Sequence, residues 1–225
     1  MICAACAAWM GPVIDADAGT ARCPACGHAE PVTIAPLFIV TGTSATGKTA
    51  VIPALRPLLP DWEVFETDIL WDSGGDWHFV RSNWLRIAHG IAMNGRPTIL
   101  CGTHLPENID PCDHRGFFRP VYYLALHCDD ATRAARLRVR PAWRGCTEDF
   151  IDAQRRFADW LLAHRETAFD PPLALLDTTH APLAATAAAV ADWARANLAD
   201  WERERGPLGP EGQGSSRSIR EPQGP

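Results

Sequence analysis

Eight consecutive residues, Gly42, Thr43, Ser44, Ala45, Thr46, Gly47, Lys48 and Thr49, satisfy the pattern G-x-x-x-x-G-K-[ST] at every required position. Glycine lets such a loop curl until its backbone N–H groups point inward, where they can hold phosphate oxygens. A helix starting at Lys48 would aim its positive end at the same place. Lys48 would then reach the β and γ phosphates, and the Thr49 hydroxyl would ligate Mg²⁺. The pattern is that of a P-loop, and it implies binding of a nucleoside triphosphate with Mg²⁺. Context supports it: the apolar run LFIVT at 37–41 precedes the loop and reads as a buried parallel strand.

A second constellation lies at the N-terminus. Cys3-x-x-Cys6 and Cys23-x-x-Cys26 stand 16 residues apart. Two CxxC turns at this spacing form a tetrahedral thiolate cage for Zn²⁺. Pro24 and Gly27 sit where knuckles of this kind commonly carry them. The expectation is a zinc ribbon over 1–30, folded by its metal because so short a segment cannot support its own core. His28 is available as a ligand, but four cysteines already complete the shell. Cys101, Cys112, Cys128 and Cys146 are dispersed and read as small apolar fillers.

The rest of the chain must position these groups. It has 225 residues, 47% of them hydrophobic, which allows one α/β domain and a small appendage. The net charge of −6 does not suit a polyanion-binding protein. No segment is apolar for long enough to cross a bilayer. The N-terminus lacks the features of a signal peptide, so a cytoplasmic chain is expected. A linker is expected over 31–36, a nucleotide-binding domain over 37–205, and a disordered tail over 206–225, where Gly, Pro, Ser and charge dominate.

Within the central domain strands are expected at 37–41, 63–67, 98–101, 121–126 and 173–176. Helices are expected from 48 to the prolines at 57 and 60, and over 77–94, 130–140, 147–167 and 182–198. Such alternation gives a parallel sheet with helices on both faces and a ligand site at the carboxyl ends of the strands. GTPases carry N-K-x-D after a later strand, and none is present. The third strand ends TILCGT without the acid of larger ATPase motors. The acid that follows a strand is Asp68, after the second. Glu66 lies two residues earlier, on what should be the same strand face.

GTSATGKT, the ETD of 66–68, the RLRVR of 136–140 and the DTT of 177–179 together resemble the P-loop kinase group that includes nucleoside monophosphate kinases, gluconate and shikimate kinases and chloramphenicol phosphotransferase. The chain is also similar, through ETDxLW, GRPxxLCGT and RPAWRG, to bacterial kinase-like and AAA-family ATPases. The likeness spans about 37–198. It implies a five-stranded parallel core in the order 2-3-1-4-5 and a mobile lid. By the same resemblance Asp68 takes the acceptor proton or holds Mg²⁺, Arg136 stacks on adenine, and Arg140 touches the transferring phosphate.

Spacing adds to that picture. Arg136 and Arg140 are four apart and share a helix face, which Arg133 also shares; Arg138 points elsewhere. Arg144 is a further lid candidate. Segments 71–86 and 102–119 should cover the acceptor, bringing Trp71, Trp77, Arg81, Arg86, His104, Arg115 and Arg119. Trp77 and Trp84 read better as core, and His104 as a structural histidine. The reading is a phosphotransferase moving the γ-phosphoryl group of Mg·ATP to an unidentified small-molecule acceptor. Two rivals stand beside it: a polynucleotide 5′-hydroxyl kinase gripping nucleic acid with the ribbon, and a non-catalytic ATP-binding regulator.

Overall fold

The structure is a computed structural model, and it describes residues 2–9, 11–71 and 75–209. Three short antiparallel strands, β1 (Val13–Asp15), β2 (Thr20–Arg22) and β3 (Ala29–Pro31), form the N-terminal ribbon. Five parallel strands follow: β4 (Ala35–Thr41), β5 (Glu63–Glu66), β6 (Thr98–Cys101), β7 (Phe118–His127) and β8 (Ala174–Asp177). Their spatial order is β5-β6-β4-β7-β8. Counted from the P-loop strand this is 2-3-1-4-5, the expected order.

β4 is buried along its whole length. Its residues alternate between two cores, as the period of a strand requires. Ala35, Leu37 and Ile39 face one that includes Trp84, Leu85, Phe117 and Leu161; Phe38 and Val40 face another that includes Val51, Leu55, Val190 and Ala194. Pro36, which has no N–H to donate, coincides with a register shift between Ala35 and Leu37 against β7. Helices α1 (Lys48–Leu55) and α6 (Leu183–Arg205) cover the second face. Helices α2 (Trp77–Ala92) and α5 (Glu148–His164) cover the first; the single turn α3 (Pro106–Ile109) and helix α4 (Asp130–Arg138) complete the domain.

Several expected boundaries move. The linker is absorbed: Pro31 closes β3, Ala35 opens β4, and Ile34 between them is buried. α6 runs on to Arg205 because Trp201 is buried and donates its indole N–H to the Arg119 carbonyl at 3.1 Å. The fifth strand begins one residue later than expected. Of the expected tail, Leu208 packs against the first core and the Leu208 carbonyl lies against Gly95. Residues 210–225 lie outside the described residues.

The ribbon rests on the domain at the amino ends of the core strands. Ile14 packs into the first core and touches Gly116, where a Cβ would come within 3.0 Å of it. Asp17 pairs with Arg119 at 3.0 Å, and the Ala16 carbonyl accepts from Arg205 at 3.2 Å. Among the described residues no helix is long and apolar enough to cross a membrane.

Candidate active site

β4 delivers the chain to Gly42, and α1 takes it up at Lys48. Gly42 has φ 127°, and a Cβ there would lie 2.4 Å from the Leu126 carbonyl oxygen, so only glycine fits. Gly47 is left-handed as well, at φ 102°. Thr46 Oγ1 donates to the Thr43 carbonyl at 2.9 Å and fixes the loop internally. Lys48 Nζ donates to the carbonyls of Gly42 and Thr43 at 2.8 and 2.7 Å. Burial draws the Lys48 ammonium down to about 8, Asp68 opposing and Arg140 assisting. Thr43 Oγ1 is buried without a partner.

Thr49 Oγ1 donates to Glu66 Oε1 at 2.6 Å, joining the loop to the end of β5. Glu66 ends that strand and Asp68 sits in the 3₁₀ turn Thr67–Leu70 that follows, so the two acids are not on one strand face as expected. Both still line the cleft, because Thr67 between them is clamped. Thr67 is fully buried; its hydroxyl donates to the Cys101 carbonyl at 3.3 Å and meets His104 Nε2 at 2.9 Å. Its carbonyl accepts from the Trp84 indole at 2.9 Å. His104 Nδ1 is buried without a partner. Trp84 and His104 are thus both engaged in holding Thr67. Asp68 faces the cleft, where partial burial, and after it the neighbouring Glu66 charge, raise its pKa.

The cleft encloses about 750 Å³. Its walls carry Ser44 to Ala50 of the loop, Glu66, Asp68, Thr103, Arg136, Arg140, Arg144 and Thr178. Every expected nucleotide-site residue from Ser44 to Thr49 is therefore in one place with Asp68 and both lid arginines, and Gly42 and Thr43 lead into it. Arg136 donates to the Thr178 carbonyl at 3.0 Å and to the Ala45 carbonyl at 3.4 Å, tying the lid's root to the turn after β8 and to the loop. Arg133, expected on the same face, is instead buried, donating to the Cys128 carbonyl at 3.1 Å and pairing with Asp130. Trp143, on the cleft wall, stands exposed with Arg144 over its ring at 4.4 Å.

The expected acceptor wall divides. Trp71 and Trp77 stack at 4.1 Å, with the Arg81 guanidinium 5.4 Å from the Trp77 ring and its Nε buried without a partner. Arg86 and Arg115 line a different hollow, against the ribbon, and Arg119 pairs with the ribbon's Asp17. These three are not at the cleft.

In the ribbon the sulfurs of Cys3, Cys6, Cys23 and Cys26 lie within 4.8 Å of one another. Cys3–Cys26 and Cys6–Cys23 are each 3.7 Å apart. A tetrahedral site with Zn–S bonds of about 2.3 Å requires sulfurs about 3.8 Å apart. The two knuckles share a plan. Cys3 and Cys23 donate to the carbonyls of Ala8 and His28, and the left-handed residues Ala7 and Gly27 close the turns at φ 58° and 74°. The cage fits a four-coordinate soft metal.

Two cleft contacts were not read from the sequence, although Thr178 stands in the DTT of 177–179. Thr178 Oγ1 donates to the Thr46 carbonyl at 3.0 Å, and Gln154 accepts from the Ser44 N–H at 2.8 Å. The legible signal for Gln154 was a polar side chain at a core position of an amphipathic helix.

A parallel sheet in the order 2-3-1-4-5, with a P-loop after its first strand and helices on both faces, is the P-loop kinase fold. The chain is similar to a "putative kinase" from Chloroflexus aurantiacus, with a TM-score of 0.51 and 18% identity over 75% of this chain and 98% of that one. Similar too are a gluconokinase from Sinorhizobium meliloti (TM-score 0.47, 19% identity, 75% and 98% covered) and shikimate kinase from Acinetobacter baumannii (0.49, 15%, 72% and 94%). No protein-family model matches the sequence, and comparison with curated proteins finds no match.

Proposed function

We propose that the chain is an ATP-dependent phosphotransferase acting on a small molecule that bears a hydroxyl or phosphate group. The observation that carries this reading is the convergence of Lys48, Thr49, Glu66, Asp68, Arg136 and Arg140 on one cleft. A binding protein needs the loop and its lysine. It has no use for a second acid, Asp68, on the same cleft with its pKa raised by partial burial. The solved structure from Chloroflexus aurantiacus with a similar fold is named a putative kinase, which agrees.

In this reading the loop N–H groups and Lys48 hold the triphosphate, with adenine beside Arg136 and the turn after β8. Thr49 and Glu66 would hold Mg²⁺, which when bound neutralises charge on the β and γ phosphates. Asp68 accepts the proton of the acceptor hydroxyl as its oxygen attacks the γ-phosphorus and the bond to the bridging oxygen of ADP breaks. Arg140 meets the charge on the migrating group, for which a guanidinium is suited. Catalysis is then positioning and electrostatics for the most part. The four-cysteine cage takes Zn²⁺ and folds the ribbon, and the cytoplasm is the compartment this chemistry implies.

Ribbon placement weighs against a polynucleotide kinase. The ribbon meets the amino end of β7, whereas the P-loop leaves the carboxyl end of β4, seven parallel residues away. That is about 20 Å of strand, at roughly 3.3 Å per residue. A screen decides the matter: purified protein with Mg·ATP, assayed for ADP release against nucleosides, nucleotides, sugars, aminoglycosides and oligonucleotides. Acceptor-dependent ADP from one small-molecule class is expected. ADP release only with oligonucleotides, or with none of them, would overturn the reading.

A further inference from the structure

Helix α5 turns a stripe of Ile151, Ala158 and Leu161 inward, all buried. Gln154 falls on that stripe, three residues after Ile151 and four before Ala158. An amide there needs a partner, and Gln154 Oε1 finds it 110 residues away in sequence, on the Ser44 N–H of the P-loop at 2.8 Å. On the nucleotide reading, Ser44 would stand at the end of the loop that meets the γ-phosphate. Lys48, which reaches toward the β and γ phosphates in such loops, lays its Nζ over the carbonyls of Gly42 and Thr43 just before Ser44.

One N–H carries one hydrogen. The Ser44 donor serves either Gln154 or a phosphate oxygen. α5 is also coupled to the lid, because Arg138 of α4 makes a two-pronged pair with Glu148 in the first turn of α5, at 2.8 and 2.7 Å. Arg138 lies between Arg136 and Arg140, which line the cleft.

We propose that Gln154 is a positioning residue that reads the terminal phosphate of the nucleotide. When a γ-phosphoryl oxygen takes the Ser44 N–H, the amide turns over and donates its NH₂ group to that oxygen, drawing α5 and the lid arginines onto the cleft. An amide suits the task because half a rotation exchanges an acceptor for two donors at constant shape. ADP, one phosphoryl group short, leaves the Gln154–Ser44 bond in place. The inference rests on the nucleotide reading of the cleft.

Calorimetric titration of the full chain with Mg·ATP and Mg·ADP tests it without any acceptor. Gln154→Leu removes acceptor and donors together. Gln154→Glu keeps the shape and the bond to Ser44, but opposes a γ-phosphate. Both variants should bind ADP within about threefold of wild type, which also shows that they fold. ATP affinity should fall about tenfold in Gln154→Leu, as for a lost hydrogen bond to a charged group, and further in Gln154→Glu. An unchanged ATP-to-ADP ratio in both variants, or equal weakening of the two nucleotides, would overturn the sensor role. Wild type binding neither nucleotide would instead remove the nucleotide reading beneath it.

Discussion

Thr67 does no chemistry, yet it decides where the chemistry sits. Its hydroxyl and carbonyl are held by Cys101, His104 and Trp84, so the acids on either side have one way to face. The clamp leaves no room at Gly102, where a Cβ would lie 1.9 Å from Thr67 Oγ1 and 2.9 Å from His104 Nε2. Gly102→Ala should therefore cost about 1–3 kcal/mol, through overpacking and a broken buried hydrogen bond. It should lower turnover as well. Urea unfolding reads the first effect, and an unshifted midpoint would show that Thr67 yields freely. Asp68→Asn keeps shape and one acceptor oxygen but loses charge and basicity. ATP binding should stay within a few-fold while phosphoryl transfer falls by about 10²–10⁴, the range for a lost acid–base group. Equal turnover with the best acceptor would take Asp68 out of the mechanism. At this scale the sequence was legible where one short stretch does one job: Gly42 to Thr49 holds its spacing whatever surrounds it. The Thr67 clamp was not legible, because its partners lie 34, 37 and 17 residues away.

Elements show the same division. β4 and β6 read as strands because both faces are buried and their apolar runs are unbroken. Strand order came with the resemblance and not from the runs themselves. Element ends were missed where a distant contact extends them. The last helix stops, on composition, near residue 198, since only one aromatic follows among charges; burial of Trp201 beneath Arg119 carries it on. The clustering of the four cysteines was legible, but the ribbon's docking was not, since nothing in Val13–Asp15 announces that Ile14 joins the domain core. That contact has a measurable consequence. Purified protein should hold about one Zn²⁺ per chain, as a closed four-cysteine site implies. Stripping it, or replacing Cys3 and Cys6 with Ser, should unfold the ribbon and withdraw Ile14. Partial exposure of one isoleucine is worth about 1–2 kcal/mol, or roughly 2–8 °C of melting temperature for a domain of this size. Scanning calorimetry with and without chelator reads it. A melting temperature indifferent to zinc would mean that the ribbon merely rests on the sheet.

For the molecule as a whole, two buried histidines set the acid limit of stability. His104 lies beside the Thr67 clamp; His89 stacks on Phe117 at 4.0 Å, near the ribbon, with its Nε2 3.3 Å from the Thr33 carbonyl. Burial is the main cause in both cases, and it draws His104 down to about 3 and His89 down to about 4 from the usual 6.5. Arg81 and Lys48 add to the first shift. For the second, the Thr33 bond opposes and His114 adds. Both rings are neutral in the fold at pH 5, where an unfolded chain would have protonated them. The unfolded state then binds more protons, so stability falls as pH falls. The contribution is complete above about 6.5 and is lost progressively toward the folded values. Between pH 6.5 and 5 each ring forfeits about 1.6 kcal/mol, from 1.36 kcal/mol per unit and an unfolded ring half protonated at 6.5. Together that is a large part of a typical folding free energy of about 5–15 kcal/mol. Urea midpoints measured from pH 8 to 4 should be flat above 6.5 and fall steeply below it. His89→Gln keeps a donor for Thr33 but does not titrate. It should lower stability somewhat at pH 7 while reducing the slope between pH 6.5 and 5, since one fewer proton favours unfolding. A variant slope equal to that of wild type would mean that His89 is already charged in the fold, and that its stacking on Phe117 does not depend on neutrality.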